Sequence, residues 1–203
     1  VIVLGAGVSS NAKNTDGKSP KKWKDLLEGY KSLVSRGKKT VIQKLIDQDN
    51  YLTACEVIKS CLESDKYIRE LEAEYQNARY EPAKIHEHIF NLDSRLIITP
   101  NIGNIYETYA TTITHGDVKI KTYKDSDIID CIRKYSYLII KMHGSINSPT
   151  DLIFTHKEYS NARIAYSQFY QIMSALALTN TFFFIGCGQN DPDIRLLFED
   201  QFL

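Results

Sequence analysis

The sequence predicts an α/β fold built on a mainly parallel sheet, and three observations predict it. Short apolar runs at residues 1–4, 95–99, 137–141 and 181–185 read as strands buried on both faces. Stretches with helical periodicity separate them, the pattern of crossover connections between parallel strands. Each run also empties into a glycine-rich or polar cluster: GAGVSS, TPNIGN, MHGS and GCGQND. In an open α/β sheet, ligands bind beyond the carboxyl ends of the strands, so the four clusters are expected around one crevice. An asparagine and a histidine that directly follow buried strands argue against ordinary polar loops.

Val1 to Leu4 is the first strand, and Gly5, Ala6 and Gly7 turn the chain tightly after it. A Cβ at either glycine is expected to block a ligand's approach. Val8, Ser9, Ser10 and Asn11 are expected to offer N–H groups and hydroxyls just past the turn, a seat for a pyrophosphate. The dinucleotide fingerprint is incomplete, because Ser10 stands where its third glycine belongs. Asp25 lies near the distance of its ribose-binding acid, but residues 23–34 read as a helix.

Residues 11–22 form a polar loop with turn signals at Asp16-Gly17 and Ser19-Pro20, long enough for a lid or binding loop. Its basic run, KSPKKWK at 18–24, reads as a solvated loop that beside a nucleotide pocket attracts phosphates. Residues 23–92 are helical almost throughout. Leu26, Leu27, Tyr30, Leu33 and Val34 share one face, and Arg36-Gly37 is expected to close that helix. Further faces carry Val41, Ile42, Leu45 and Ile46, then Leu52, Cys55, Ile58, Cys61 and Leu62. The pattern continues from Tyr67 to Arg79, and Pro82 opens a helix with Ile85, Ile89 and Phe90. The whole block is expected as a helical insertion after the first turn.

Beyond it, strand 95–99 is followed by a helix from Ile105 to Thr112. Val118 to Tyr123 alternates like a strand, and Asp127 to Lys134 reads as a short helix. After strand 137–141, residues 152–154 are extended. Thr155 and Glu158 form a capping box for a helix that runs to about Leu178. Asp191-Pro192 then opens a final helix.

Composition excludes several classes. Lys and Arg total 25 and Asp and Glu total 25, so no global field favours nucleic acid. No apolar run has the ~20 residues that span a bilayer, and no signal peptide is visible. The four cysteines form no C-x-x-C pair, so a disulfide framework and a zinc ribbon are not expected, and a cytoplasmic location is. His86 and His88, two residues apart on a helix, point to different faces and make a poor metal pair. The 203 residues suffice for one sizeable core. The chain opens without Met and stops within an apolar stretch, so we expect a piece of a longer protein.

GAGVSS, TPNIGNIYE at 99–107, KMHGSI at 141–146 and FIGCGQNDPDIR at 184–195 occur in the order of the sirtuin family. The chain resembles that family's Rossmann-like NAD-binding fold, and most of all the bacterial NAD-hydrolysing effectors of anti-phage defence. The resemblance implies a single domain over 1–203, with the helical insertion at about 23–92. It implies His143 and Asn101 as catalytic residues. It also implies contacts to NAD, taken as substrate, from Gly5, Ala6, Gly7, Ser9, Ser10, Thr99, Gly144, Gly186, Cys187, Gly188 and Asp191. Sirtuin deacylases carry a zinc ribbon after the histidine loop, but residues 147–183 contain no cysteine, so no metal and no deacylation are expected. The family commonly has an aspartate two residues after the asparagine that helps hold the nicotinamide carboxamide; here Gly103 occupies that place.

Two functions follow. One is an NAD glycohydrolase, whose oxocarbenium-like transition state needs an oriented ribose and a base. A largely neutral imidazole suits the base, and a carboxamide can fix a ribose hydroxyl or water. The other is a non-catalytic sensor of NAD or an ADP-ribose derivative, favoured by Gly103. Expected partners are further copies of the chain and a second defence protein or fused C-terminal domain, with no membrane and no direct nucleic-acid contact.

Overall fold

The computed structural model describes residues 1–134, 137–188 and 194–195. Five strands form one parallel sheet: β1 (Ile2–Leu4), β2 (Leu96–Thr99), β3 (Lys119–Thr122), β4 (Leu138–Lys141) and β5 (Phe183–Ile185), in the order β3-β4-β2-β1-β5. The central register pairs Ile2 with Ile97 and Ile97 with Ile139, while Val3 pairs with Phe184. The expected α/β class is what the chain adopts.

The period of two along each strand divides the core between two sheet faces. Ile2, Leu4, Ile97 and Ile139 face one side, with Val8, Ile89, Tyr106 and Ala110. Val3, Ile98 and Ile140 face the other, with Ile128, Cys131, Tyr159, Ala162, Phe169 and Met173. The helices on the first side are α1 (Ala6–Ser9), α6 (Lys84–Phe90) and α7 (Ile105–Ile113); on the second they are α8 (Ile128–Lys134), α9 (His156–Ala165) and α10 (Ser167–Thr179).

A third core lies off the sheet. α2 (Trp23–Leu33), α3 (Arg36–Asp47), α4 (Tyr51–Cys61) and α5 (Ser64–Tyr75) bury Leu27, Ile42, Ile46, Ile58 and Leu71 among themselves. They close over Ile102, Ile146, Leu152 and Phe154, which belong to the loops after β2 and β4. The predicted insertion therefore divides. Its first four helices cover the strand ends, whereas α6 packs on the sheet beside α7 and contributes Ile89 to that core.

Three local expectations change. Arg36-Gly37 opens α3 instead of closing α2, because Ser35 accepts the N–H groups of Lys38 and Lys39 and leaves a connector of two residues. The predicted helix from 155 to 178 breaks at Tyr166, whose ring packs edge-on against Tyr123 with centroids 5.1 Å apart. No glycine or proline announces that break; tertiary packing imposes it. The backbone donors past the first turn are engaged by the fold, as the site geometry shows. The capping box forms as expected: Thr155 Oγ1 accepts the Glu158 N–H at 3.2 Å, and Glu158 Oε2 accepts the Thr155 N–H at 3.1 Å. The predicted opening of the final helix, Asp191-Pro192, lies outside the described residues.

Candidate active site

The chain runs from β1 to β2 on one side and returns to place β5 on the other, so the strand order reverses around β1. A cavity of about 590 Å³ opens there, beyond the carboxyl ends of the strands. Gly5, Ala6, Gly7 and Ser9 line it from the first turn, Asn101 and Gly103 from the loop after β2, and His143 from the loop after β4. Gly186, Cys187 and Gly188 line it from the turn after β5.

The glycines serve a purpose different from the one expected. A Cβ on Gly5 would lie 2.3 Å from the Gly186 carbonyl oxygen, and one on Gly7 would lie 2.8 Å from the Gly186 Cα. Gly186 itself has φ +65°, and a Cβ there would meet the Val8 nitrogen at 2.7 Å. The two turns are packed backbone against backbone, which only glycine permits. Hydrogen bonds fix the contact: Gly5 N–H donates to Ile185 O and Gly7 N–H to Gly186 O, each at 2.9 Å. The Val8 N–H donates to Gly5 O, Ser10 N–H to Ala6 O and Asn11 N–H to Val8 O. The donors predicted to greet a ligand at positions 8, 10 and 11 therefore serve the turn.

Asn101 is held at the floor. Its Nδ2 donates to Leu4 O at 3.3 Å and to Ser9 Oγ at 3.2 Å, which leaves its Oδ1 as the acceptor that can face a ligand. Thr99 locks this arrangement from below, donating to Leu4 O at 2.7 Å and accepting the Asn101 N–H at 3.1 Å. His143 is 5% exposed, and the Tyr159 hydroxyl of α9 sits 3.1 Å from its Nε2 and 3.4 Å from its Nδ1.

Of the residues expected to touch the dinucleotide, three stand behind the wall. The Ser10 hydroxyl donates to Gly7 O, Thr99 is buried under Asn101, and Gly144 turns the chain with φ +84° against Asp151 O. Asp191 lies outside the described residues.

A buried ion pair supports the loops that carry Asn101 and His143, and sequence reasoning passed over it. Lys141, fully buried at the end of β4, pairs with Glu107 of α7 at 2.5 Å. The same ammonium donates to Gly103 O and to Asn104 Oδ1, at 2.5 and 3.2 Å. Ser145 Oγ donates to the same Asn104 oxygen at 3.2 Å. Burial pushes the Lys141 ammonium below its usual range, and the Glu107 carboxylate opposes that shift. The signal was present: a lysine closing an otherwise apolar strand.

The helical layer supplies the remaining wall: Pro20 to Lys24, Asp49 to Leu52 and Tyr75. Tyr51 donates to Asp49 Oδ1 at 2.6 Å, and this hydrogen bond, with burial, pushes its phenol up to about 12. Among the described residues no three His, Cys, Asp or Glu side chains gather as metal ligands. His86 is buried in α6, with Nδ1 accepting the Ala83 N–H at 2.9 Å. No helix of the described residues is long and apolar enough to cross a membrane.

The chain is similar to the NAD(+) hydrolase ThsA of Acinetobacter baumannii (strain 532279), 24% identical over 114 residues. That alignment covers 56% of this chain and 23% of the relative, so the chain spans about a quarter of that protein's length. The family model described as the SIR2-like domain matches residues 95–202, more than half of the chain and the stretch that carries Asn101, His143 and Gly186. The chain belongs to the SIR2-like domain family.

Proposed function

We propose that this domain is an NAD glycohydrolase that cleaves NAD to nicotinamide and ADP-ribose. The observation that carries the reading is the convergence of Asn101 and His143 on one cavity with the two glycine turns. A cavity of about 590 Å³ is in the range that encloses a cofactor-sized ligand. The similarity to a protein named as an NAD(+) hydrolase supports the same substrate.

In the proposed reaction the bond between ribose C1′ and the nicotinamide nitrogen breaks, and its electron pair returns to the ring, which leaves neutral. Water adds its oxygen to C1′ and gives up a proton to His143. Asn101 Oδ1 accepts from a ribose hydroxyl or from that water. The closed surroundings of His143 limit solvent at the reacting carbon. A positioned base of this kind contributes about 10²–10⁴ in rate.

Because free NAD hydrolysis depletes a cell, the activity belongs under restraint. An effector role in bacterial anti-phage defence, in the cytoplasm, fits that requirement. We propose control through oligomer contacts or a partner domain.

The test is nicotinamide release from NAD by the wild type and by His143→Ala and Asn101→Ala. Each variant is expected to lose about 10²–10⁴ in turnover with its melting temperature retained. A lower melting temperature with turnover per folded molecule unchanged would assign these residues to structure alone. A sensor that binds without cleaving is the second reading, favoured by Gly103. A Cβ at that position meets only Tyr75 Cδ1, at an ordinary contact distance of 3.6 Å, so the backbone leaves room for a side chain to start there. Gly103→Asp is expected to raise nicotinamide release if Gly103 marks a weakened catalyst, and to do little or crowd the pocket in a competent hydrolase that holds the carboxamide by backbone groups. A wild type no faster than His143→Ala would overturn the hydrolase and leave the sensor reading in its place.

A further inference from the structure

We propose that Lys22 and Lys24 take the diphosphate of the dinucleotide, as cations that the helical layer presents to the cavity. The inference rests on the NAD reading above and adds the groups that meet its negative charge. Two observations carry it.

The glycine turn has few backbone donors left for an anion. The N–H groups of Gly5, Gly7, Val8, Ser10 and Asn11 all donate to carbonyls of the fold. The positive charge that a diphosphate needs must come from side chains.

The cavity that the turn lines has cations of its own. Lys21, Lys22 and Lys24 line it. Lys21 is committed to Glu74, 2.9 Å away. Lys22 and Lys24 form no salt bridge among the described residues; Lys24 acts on the Glu28 carboxylate only as a nearby charge. The carboxylate of Asp49, on the same cavity, already accepts from Tyr51.

Their backbone is fixed. Ser19 Oγ donates to Ser10 O at 2.8 Å, which ties the loop to the first turn. The Tyr75 hydroxyl donates to Lys21 O at 2.8 Å, and the Lys21 N–H donates to Glu74 Oε1 at 2.9 Å. Burial alone would raise the Glu74 carboxyl, but hydrogen bonds from Tyr80 and Lys21 hold it below its usual range, so it stays a charged anchor. The chain on both sides of Lys21 is thus ordered before any ligand arrives, which lowers the entropic cost of binding. An ammonium on a flexible stem suits a phosphate as a point charge.

Calorimetric titration of wild type and the Lys22→Gln/Lys24→Gln variant with ADP-ribose and with adenosine, at low and raised salt, tests the proposal. ADP-ribose affinity is expected to fall about tenfold in the variant at low salt. Its salt dependence should flatten, because two screened charges are gone. Adenosine, which has no phosphate, should bind both proteins alike, and Lys22→Arg/Lys24→Arg should keep most of the ADP-ribose affinity. A double Gln variant that binds ADP-ribose as tightly and as salt-dependently as wild type would overturn the lysine clamp and leave the NAD reading standing. Equal losses for adenosine and ADP-ribose would also overturn it, by revealing a deformed pocket. Wild type that binds no ADP-ribose would remove the functional reading, and the clamp with it.

Discussion

The two walls of the cavity are built on opposite principles. On the sheet side, the turns after β1 and β5 meet backbone to backbone, with Gly5, Gly7 and Gly186 leaving no room for a Cβ. On the helical side, the wall is made of side chains: Trp23, Tyr51, Leu52 and Tyr75, with Lys22 just before α2 and Lys24 in its first turn. The first wall is rigid because its hydrogen bonds and its packing are one and the same contact. The second is adjustable, because a side chain can change while its backbone stays held. A site built this way keeps its geometry on the sheet and can vary its ligand contacts on the insertion.

The largest effect is expected from breaking the rigid wall. Gly186→Val places a β-branched residue at φ +65° and drives its Cβ into the Val8 nitrogen, 2.7 Å away. We expect a loss on the order of 5 kcal/mol, enough to prevent folding at ordinary temperature. Denaturant unfolding of the purified variant checks it; near-wild-type stability would mean the two turns can separate freely.

A smaller loss is expected beneath the loops after β2 and β4. Lys141→Met removes the ammonium from Glu107, Gly103 O and Asn104 Oδ1, and strands a buried carboxylate. Breaking one partner of a buried pair costs about 3–5 kcal/mol. The double variant Lys141→Met/Glu107→Leu should recover much of that stability, since no unpaired charge remains. It should not recover turnover, because the Gly103 carbonyl stays without its donor. Recovery of both would show that the pair serves stability alone.

The smallest effect sharpens the description of the side-chain wall. Tyr75→Phe removes only the hydroxyl that donates to Lys21 O. One hydrogen bond of this type contributes about 1 kcal/mol. Melting temperature should drop slightly, and KM for NAD should rise more than kcat falls. A fall confined to kcat would contradict a binding role for this wall.

Much of the sheet side could be read from the sequence. Four apolar runs ending in glycine or polar clusters predicted the parallel sheet and the crevice at its carboxyl edge. Asn101, His143, Gly186 and Cys187 were expected on that crevice, and the structure brings all four to the same cavity. Local information suffices there, because a buried strand and its turn are decided by a handful of consecutive residues. The capping box of Thr155 and Glu158 was legible for the same reason.

What the sequence alone determined, then, is the strand ends and the residue types they carry. Tertiary structure decided which of those residues face the cavity. Ser10, Thr99 and Gly144 are adjacent to lining residues yet stand behind them, because a turn sends neighbouring side chains in opposite directions. It also decided the purpose of the glycines, which is close packing of two turns from opposite ends of the chain, joined by the bond from Gly7 N–H to Gly186 O. The break at Tyr166, the division of the helical block and the Lys141–Glu107 pair have the same origin. Each depends on a contact between segments far apart in sequence, and periodicity within one segment carries no information about its distant neighbour.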